Sequence, residues 1–192
     1  MKGKIKISVL VSGGGTNLQA LIDSANAGLL PGAEIALVIS SREDAFALER
    51  AKKAGIKTAV IKDGRELIKA LEDAGTGLVV LAGYMKILRP DVIKRYARRI
   101  INIHPSLIPK YCGKGFYGIR VHRAVIAAGE KASGATAHFV DEGVDTGEII
   151  LQREVPVLES DDAETLAARV LETEHKILPE AVRMFIEKHN NL

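Results

Sequence analysis

The sequence predicts an α/β fold, in which a doubly wound, mostly parallel sheet forms a single domain over residues 1–192. Its N-terminal half is predicted to be Rossmann-like, and an antiparallel strand pair is expected near the C-terminus. Short apolar runs alternate with helical periodicity from Lys4 to residue 104, as in consecutive βαβ units. The run Leu78–Ala82 is apolar throughout, which is typical of a parallel strand covered on both faces. A chain of 192 residues is also a usual size for one domain.

The first half of the chain divides into strands with helices between them. Lys4–Val11 alternates and then becomes apolar, so it is predicted to be the first strand, and Leu18–Ala27 has helical spacing. The elements that follow are, alternately strand and helix, Ile35–Ile39, Asp44–Ala54, Thr58–Ile61, Arg65–Asp73 and Leu78–Ala82. Because such crossovers are right-handed, this order predicts a sheet with helices on its faces.

The second half begins with the apolar run Ile100–Ile103, which leads through His104 into a stiff turn at Pro105. The later elements are predicted as a helix at Arg120–Ala128, strands at Gly134–Val140 and Glu148–Val157, and a C-terminal helix capped by Asp161–Glu164. Pro179 is expected to break or kink that helix. The glycine-dense segment Cys112–Gly118 has two interpretations, a mobile lid over a site or a surface excursion.

Composition argues against several classes of protein. Hydrophobic residues make up 47% and charged residues 27% of the chain, as in ordinary globular proteins, and no apolar run has the roughly 18 to 20 residues of a membrane span. A net charge of +3 with scattered basic residues argues against nucleic-acid binding. The single cysteine, Cys112, precludes an internal disulfide and fits a reducing cytoplasm. The start of the chain is interpreted as a strand rather than a signal peptide, and no His/Cys cluster has zinc spacing.

A glycine loop, Ser12–Asn17, connects the first strand to the first helix. Glycines let backbone N–H groups approach an anion, and a helix N-terminus adds partial positive charge. The loop matches neither the G-x-G-x-x-G fingerprint nor a Walker sequence. It is therefore equally compatible with a phosphate cradle and with an ordinary tight turn.

Asn102 and His104 stand two residues apart at the end of a buried strand, so their side chains face the same side. An amide donor beside a titratable ring suits an acyl transfer that forms an oxyanion. A core histidine with a capping asparagine would give the same pattern. The carboxyl ends of parallel strands share one edge of a sheet, which is expected to bring together Ser12–Asn17, Gly83–Met85 and Asn102–Pro105.

Several segments are similar to those of the folate-dependent formyltransferases. They are Asn102–Pro109, His138–Val140 and Asp145–Gly147, supported by Ser12–Asn17, Leu81–Met85 and the pair Glu174-His175. The similarity extends over about residues 4–186 and is strongest to members that act on glycinamide ribonucleotide. It implies transfer of a formyl group from 10-formyltetrahydrofolate to the amine of glycinamide ribonucleotide, in de novo purine biosynthesis.

The resemblance implies that Asn102, His104 and Asp145 are catalytic. His104 as imidazolium and the Asn102 amide would stabilise the oxyanion that forms when the amine attacks the formyl carbon. Asp145 would keep His104 charged and assist proton transfer. Thr136 and His138 would support these three residues from behind.

The same resemblance implies two sets of binding residues. Those for the ribonucleotide are Gly15, Thr16 and Asn17 at the phosphate, Gly83 at the glycinamide, Glu174 at the ribose hydroxyls, and Arg65 as the one arginine in a short segment. Those for the folate are Met85, Lys86, Ile87, Leu88, Val140 and Asp141, although Met85 and Leu88 also suit an ordinary core. The implied partners are these two small molecules, with no metal, nucleic acid or membrane, and the implied assembly is a monomer or homodimer.

Three other functions stay open. Methionyl-tRNA formyltransferase and formyltetrahydrofolate deformylase share the catalytic core, but their additional RNA-binding and regulatory domains are not expected in this chain. A non-catalytic nucleotide-binding module would use only the glycine loop and would leave Asn102, His104 and Asp145 unexplained. The segment Cys112–Val121 is longer than in better-known members of the family, which leaves the geometry of the lid open.

Overall fold

The computed structural model describes residues 3–190, so residues 1, 2, 191 and 192 of the predicted domain lie outside it. Its strands are β1 (Ile5–Val11), β2 (Ala33–Ser40), β3 (Lys57–Val60), β4 (Leu78–Leu81), β5 (Ile100–His104), β6 (Ala132–Phe139) and β7 (Ile149–Pro156). Its helices are α1 (Thr16–Asn26), α2 (Phe46–Lys53), α3 (Leu67–Asp73), α4 (Pro90–Arg95), α5 (Ile119–Ala127) and α6 (Ala163–Asn190).

The seven strands form one sheet in the order β3-β2-β1-β4-β5-β6-β7. Strands β1 to β5 pair in parallel, whereas β6 and β7 are antiparallel to their neighbours. The predicted α/β class and the antiparallel pair near the C-terminus are therefore confirmed. The sheet grows in one direction from β1 to β3 and in the other from β4 onward. The crevice at the carboxyl ends of β1 and β4 is thus the topological switch point, where such sheets bind ligands.

Two apolar clusters cover the sheet, one on each face, because side chains alternate along a strand. Val11 of β1 packs in the cluster that contains residues of α1, α2, α5 and α6. Leu10, its neighbour in sequence, packs with residues of α3 and α4. Both side chains are fully buried, and the α/β layering follows from burying the two faces separately.

The same alternation decides which side of the sheet the predicted catalytic residues occupy. Ile101 and Ile103 of β5 and Ala137 of β6 belong to the cluster that contains residues of α5 and α6. Asn102 and His104, which alternate with the two isoleucines, therefore face the opposite side. That side carries α3 and α4, together with the loops that follow β4 and β6.

Helix boundaries differ from the prediction in two informative places. α1 begins at Thr16, two residues before the predicted Leu18, so the end of the glycine loop forms the first helical turn. α4, at Pro90–Arg95, is absent from the prediction because six residues are too few to show apolar periodicity. Its signals are local: Arg89 is extended before a proline at the first helical position, and Asp91 lies in the first turn.

α6 continues without interruption through Pro179, so the expected break there does not occur. The proline removes one backbone donor, while buried apolar residues on both sides of it keep the helix packed. The predicted cap is present: Thr165 N–H donates to Asp162 Oδ1 at 2.8 Å, and Asp162 N–H donates to Thr165 Oγ1 at 2.9 Å. Like the other helices of residues 3–190, α6 lacks the length of apolar sequence needed to cross a membrane.

Candidate active site

The loops that follow β1, β4 and β5 meet at one edge of the sheet. Met85 N–H donates to Ser12 Oγ at 2.9 Å, which ties the loop after β4 to the glycine loop. Ser12 Oγ also bonds Ser41 Oγ at 2.7 Å, just after β2. Gly83 has a φ of 75° and turns the chain sharply after β4. The structure therefore brings together the segments that the sequence predicts at this edge.

Gly13–Asn17, which we call the cradle, leads into α1 with its backbone N–H groups unused. Gly15 has a φ of 73° and precedes the first residue of the helix. A Cβ atom at Gly15 would lie 2.5 Å from the Cβ of Ala47, so glycine is what allows α2 to approach this closely. Within residues 3–190, the N–H groups of Gly15, Thr16 and Asn17 donate no hydrogen bond. Free N–H groups at a helix N-terminus suit an anion such as phosphate.

Glu174 of α6 reaches the first turn of α1. Asn17 Nδ2 donates to Glu174 Oε2 at 2.6 Å, although 157 residues separate the two in sequence. Both side chains are buried, and Asn17 Oδ1 has no hydrogen-bond partner in the part of the chain that the structure describes. Burial raises the pKa of the Glu174 carboxyl to about 7, and the bond from Asn17 offsets only part of that effect. Two residues that are predicted to bind the ribonucleotide, Asn17 and Glu174, are thus in direct contact.

The pairing of β5 with β6 sets Asn102 opposite His138 and His104 opposite Thr136. His138 Nδ1 lies 2.8 Å from the carbonyl of Phe139, which can only accept, so this nitrogen carries the proton. Nε2 of the same ring then accepts from Asn102 Nδ2 at 3.1 Å. His138 therefore fixes which end of the Asn102 amide is the donor.

Asp145 completes a group that we call the polar cluster, which consists of the buried His104 and His138 and the partly buried Asn102 and Asp145. Asp145 Oδ1 accepts from Asn102 Nδ2 at 3.4 Å, and Oδ2 lies 3.5 Å from His104 Nδ1. Burial raises the pKa of the Asp145 carboxyl, but the neighbouring rings of His138 and His104 and the Gly113 N–H together lower it further, to below its usual value. Asp145 is consequently ionised at neutral pH.

His104 has both ring nitrogens directed at protein groups. Nε2 donates to the carbonyl of Tyr111 at 2.9 Å, and Nδ1 faces Asp145. Burial lowers the pKa of this ring more than Asp145 and the Tyr111 bond raise it. The carboxylate therefore acts in the predicted direction, although burial outweighs it and favours the neutral ring. The charged state of His104 in the reaction stays a prediction. Although the cluster holds two histidines and a carboxylate, no group within residues 3–190 is arranged to hold a metal ion.

Thr136 holds the turn that follows His104. Its hydroxyl donates to the carbonyl of Ser106 at 2.6 Å and accepts from Ile108 N–H at 3.3 Å. Gln152 Nε2 donates to the same hydroxyl at 2.8 Å. Gln152 is missing from the sequence prediction, yet it stands directly opposite Thr136 in the β6–β7 pair, so the register of the predicted hairpin was the available signal.

The beginning of the glycine-dense segment lies against the polar cluster. Tyr111 supplies the carbonyl that His104 bonds, and Gly113 N–H donates to Asp145 Oδ2 at 3.0 Å. Tyr111 Oη donates to Glu130 Oε1 at 3.0 Å, which anchors the segment beyond the end of α5. Of the two interpretations that the sequence leaves open, this arrangement favours a cover over the site.

The predicted folate residues occupy the loops after β4 and β6. Leu88 is buried in the cluster with α3 and α4, and Val140 packs against that cluster. Met85 and Ile87 are 55% and 78% exposed, so two apolar side chains stand at the surface beside the site. An exposed apolar pair is what a flat aromatic ligand could cover.

Lys86 and Asp141, also predicted folate residues, make hydrogen bonds to other residues of the chain. Lys86 Nζ donates to the carbonyl of Lys62. Asp141 Oδ1 accepts from Thr146 Oγ1 at 2.6 Å and from Gly143 N–H at 3.0 Å. Asp141 thereby shapes the turn that presents Asp145.

Arg65 lies after β3, at the far edge of the sheet from β5. Its Nε donates to Asp63 Oδ2 at 2.6 Å, and its side chain is 75% exposed. The structure therefore does not bring Arg65 to the polar cluster, and its predicted contact with substrate stays a prediction.

The chain matches a known family over most of its length. The profile described as "Formyl transferase" matches residues 5–182. A phosphoribosylglycinamide formyltransferase from Haemophilus influenzae is 44% identical over 191 residues, which are 95% of this chain and 87% of that protein. A chloroplastic phosphoribosylglycinamide formyltransferase from Vigna unguiculata is 40% identical; the match covers 95% of this chain but 61% of the longer plant protein.

A solved structure shares the fold closely. The glycinamide ribonucleotide transformylase 1 of Symbiobacterium toebii superimposes with a TM-score of 0.91 at 43% sequence identity. The alignment covers 98% of this chain and 90% of that one. Agreement at this level covers all the elements that carry the cradle and the polar cluster.

Proposed function

This chain belongs to the formyl transferase family, and from that premise we propose that it transfers a formyl group from 10-formyltetrahydrofolate to the amine of glycinamide ribonucleotide, in purine biosynthesis. One observation carries this function. The buried polar cluster and an anion cradle open on the same edge of the sheet. A phosphorylated amine held in the cradle can therefore present its amine to the cluster.

The polar cluster supports the chemical step in a definite order. The amine nitrogen attacks the formyl carbon, a C–N bond forms, and the carbonyl electrons move onto the formyl oxygen. The amine proton passes to His104 Nδ1, because Nε2 already donates to the carbonyl of Tyr111. The imidazolium that results lies beside ionised Asp145 and stabilises the oxyanion. As the C–N bond to the folate breaks, the same proton passes to the folate nitrogen.

Asn102 is placed to donate to the developing oxyanion. Its Nδ2 carries two hydrogens, one directed at His138 Nε2 over 3.1 Å and one at Asp145 Oδ1 over 3.4 Å. The longer bond is the weaker one, so the formyl oxygen can replace it while His138 keeps the amide oriented. Positioned donors of this kind contribute most where charge develops in the transition state.

Substrate binding is divided between two halves of the site. The N–H groups of Gly15, Thr16 and Asn17 hold the phosphate, Gly83 contacts the glycinamide, and Glu174 accepts from the ribose hydroxyls. The folate lies against the loops after β4 and β6, where Met85 and Ile87 expose apolar surface. In this proposal the formyl donor lies on the side of the sheet that Asn102 and His104 face.

Formyl transfer to three acceptors in parallel tests the function. Purified protein and 10-formyltetrahydrofolate are combined with glycinamide ribonucleotide, with water alone, or with formylatable initiator tRNA. We expect tetrahydrofolate to be released rapidly with the ribonucleotide only. Equal release in water would indicate a deformylase, and formylated tRNA would indicate the tRNA enzyme; either result contradicts the proposal. Protein carrying Asp145→Asn, purified in the same way, controls for contaminating activity.

The cellular location and the oligomeric state of the enzyme are part of the same proposal. The single cysteine and modest net charge support work in the cytoplasm on small molecules. The assembly is a monomer or a homodimer, which sedimentation velocity across a range of protein concentrations distinguishes.

A further inference from the structure

Arg50, in α2, donates a hydrogen bond to the backbone of the cradle. Its Nε donates to the carbonyl of Gly14 at 2.8 Å, and its Nη1 donates to Gln19 Oε1 at 3.2 Å. The guanidinium lies 5.1 Å from the centre of the Phe46 ring, and the side chain is half-buried. Arg50 is thus held on three sides, with one of its bonds made to the cradle backbone.

The first turn of α2 holds the cradle at a second point. Ala47 N–H donates to the carbonyl of Gly13 at 3.0 Å, and its Cβ fills the space that a side chain at Gly15 would need. Two successive cradle carbonyls, those of Gly13 and Gly14, therefore point towards α2.

The direction of these two carbonyls also fixes the direction of two N–H groups, because the peptide is planar and trans. In such a peptide the C=O and the N–H point in opposite directions. The carbonyl of Gly13 shares a peptide with Gly14 N–H, and the carbonyl of Gly14 shares one with Gly15 N–H. Both N–H groups must point away from α2, and within residues 3–190 neither donates a hydrogen bond. Arg50 and Ala47 thus aim two unused donors into the cradle.

Arg50 also brings a positive charge to the cradle. Within the described residues, no carboxylate lies within ion-pair distance of its guanidinium. The pKa of His175, which follows Glu174 in α6, is lowered chiefly by burial and further by the charge of Arg50. A positive charge behind a helix N-terminus adds to the attraction for an anion.

We propose that Arg50 is a positioning residue for the phosphate of the acceptor substrate, which it serves by fixing the Gly14–Gly15 peptide with its N–H towards the anion. This role rests on the proposed function, since it assumes that the anion in the cradle is the substrate phosphate. Arg50 acts through the backbone and does not itself contact the reacting atoms.

Steady-state kinetics of Arg50→Ala and Arg50→Lys test this role. A charged hydrogen bond removed from the cradle is expected to raise KM for glycinamide ribonucleotide roughly 10- to 100-fold. The kcat and the KM for 10-formyltetrahydrofolate are expected to stay within about twofold of wild type. Arg50→Lys keeps the charge and one donor, so its KM should fall between wild type and Arg50→Ala.

Lys53→Ala is the matched control. Lys53 lies one turn further along α2 and lines the same surface cavity of about 390 Å³ as Arg50, but it makes no hydrogen bond to the cradle. Its substitution should leave both KM values unchanged. An equal rise in KM from Lys53→Ala, or equal losses for both substrates in Arg50→Ala, would overturn the positioning role.

Calorimetric binding of ribose 5-phosphate separates this inference from the proposed function, because it needs no turnover. Wild type is expected to bind ribose 5-phosphate at least about tenfold more tightly than Arg50→Ala. Equal affinity of the two proteins would overturn the inference. Arg50-dependent binding in a protein that fails to formylate glycinamide ribonucleotide would support the role of Arg50 and contradict the proposed function alone.

Discussion

The cradle and the polar cluster lie at the same edge of one sheet but are built from different materials. The cradle offers backbone N–H groups, and its shape depends on the φ of 73° at Gly15 and on bonds from α2. The polar cluster offers buried side chains, whose arrangement depends on the antiparallel pairing of β5 and β6. The cradle therefore depends on the conformation of its backbone, and the polar cluster depends on the protonation of its side chains.

This difference indicates how each region should respond to change. A backbone site has no group that titrates, so it is damaged chiefly by substitutions that move the chain. A cluster of ionisable side chains can lose its chemistry to an isosteric substitution that moves nothing. We therefore expect damage to the cradle to appear in stability and substrate affinity, and damage to the cluster to appear in kcat.

The largest effect is expected from Asp145→Asn and His104→Asn. If the two residues work as one proton-holding pair, each substitution lowers kcat by several orders of magnitude, and the double variant is little worse than either single one. A double-mutant cycle on kcat at saturating substrates measures this coupling. Folate affinity should change by less than about tenfold, because the loss is confined to the transition state.

The backbone at position 145 makes Asp145→Asn a clean substitution. Asp145 has a φ of 58°, in the left-handed region, which asparagine tolerates well. Circular dichroism should therefore show an unchanged fold. Losses that multiply in the double variant would contradict the paired mechanism, and near wild-type turnover in either single variant would contradict the assignment of the cluster as catalytic.

The second effect concerns the cradle. Gly15→Ala is expected to lower the free energy of unfolding by about 2–4 kcal/mol, since it adds a left-handed non-glycine residue and a steric conflict with Ala47. KM for the ribonucleotide should rise while kcat is retained. Urea denaturation and steady-state kinetics measure the two quantities. Gly14→Ala is the matched control, because a Cβ there meets open space; an equal loss of stability in both variants would remove the special role of Gly15.

The smallest effect tests Glu174, a carboxyl group that contacts the cradle through Asn17. Glu174 has a pKa of about 7 in the folded chain against 4.5 for an ordinary glutamate. A raised folded pKa contributes stability that is complete below pH 4.5 and is lost as the pH rises through 7. Wild type should therefore lose up to about 3 kcal/mol over this window relative to Glu174→Gln. Urea denaturation at pH 5 and pH 8 measures the difference.

A second glutamate, two residues earlier in α6, supplies the control for that pH dependence. Glu172 is exposed on the same helix, so Glu172→Gln should follow the wild-type profile. A Glu174→Gln profile that runs parallel to wild type would mean that folding does not change the pKa of this carboxyl, and the contrast between a conformational and a titrating region would then hold without exception.

Sequence reasoning finds what local pattern and strand alternation determine. The side of the sheet that Asn102 and His104 face follows from a two-residue spacing. The convergence of three loops follows from the rule for parallel strands. α4 is too short for a periodic signal, and the passage of α6 through Pro179 depends on packing that no local pattern records.

Two features of the site cannot be predicted from local sequence, because they depend on the folded arrangement of distant residues. The bond from Arg50 to Gly14 joins residues 36 positions apart, and nothing around either residue signals the other. The protonation of His104 depends on how fully the folded chain buries the ring, a quantity that only the three-dimensional arrangement provides. The identity of the residues thus suggests the type of reaction, whereas burial influences the protonation state of His104 before the reaction begins.

The contact between Asn17 and Glu174 has a consequence for synthesis of the chain. A ribosome releases the N-terminal strands first, and these can begin to fold as they emerge. Asn17, in the cradle, then lacks its partner Glu174, which is 157 residues further along the chain. His104 likewise lacks Asp145. A nascent chain is therefore expected to stay inert until α6 has been translated at least as far as Glu174, so activity requires both partners of each contact and not merely a folded beginning.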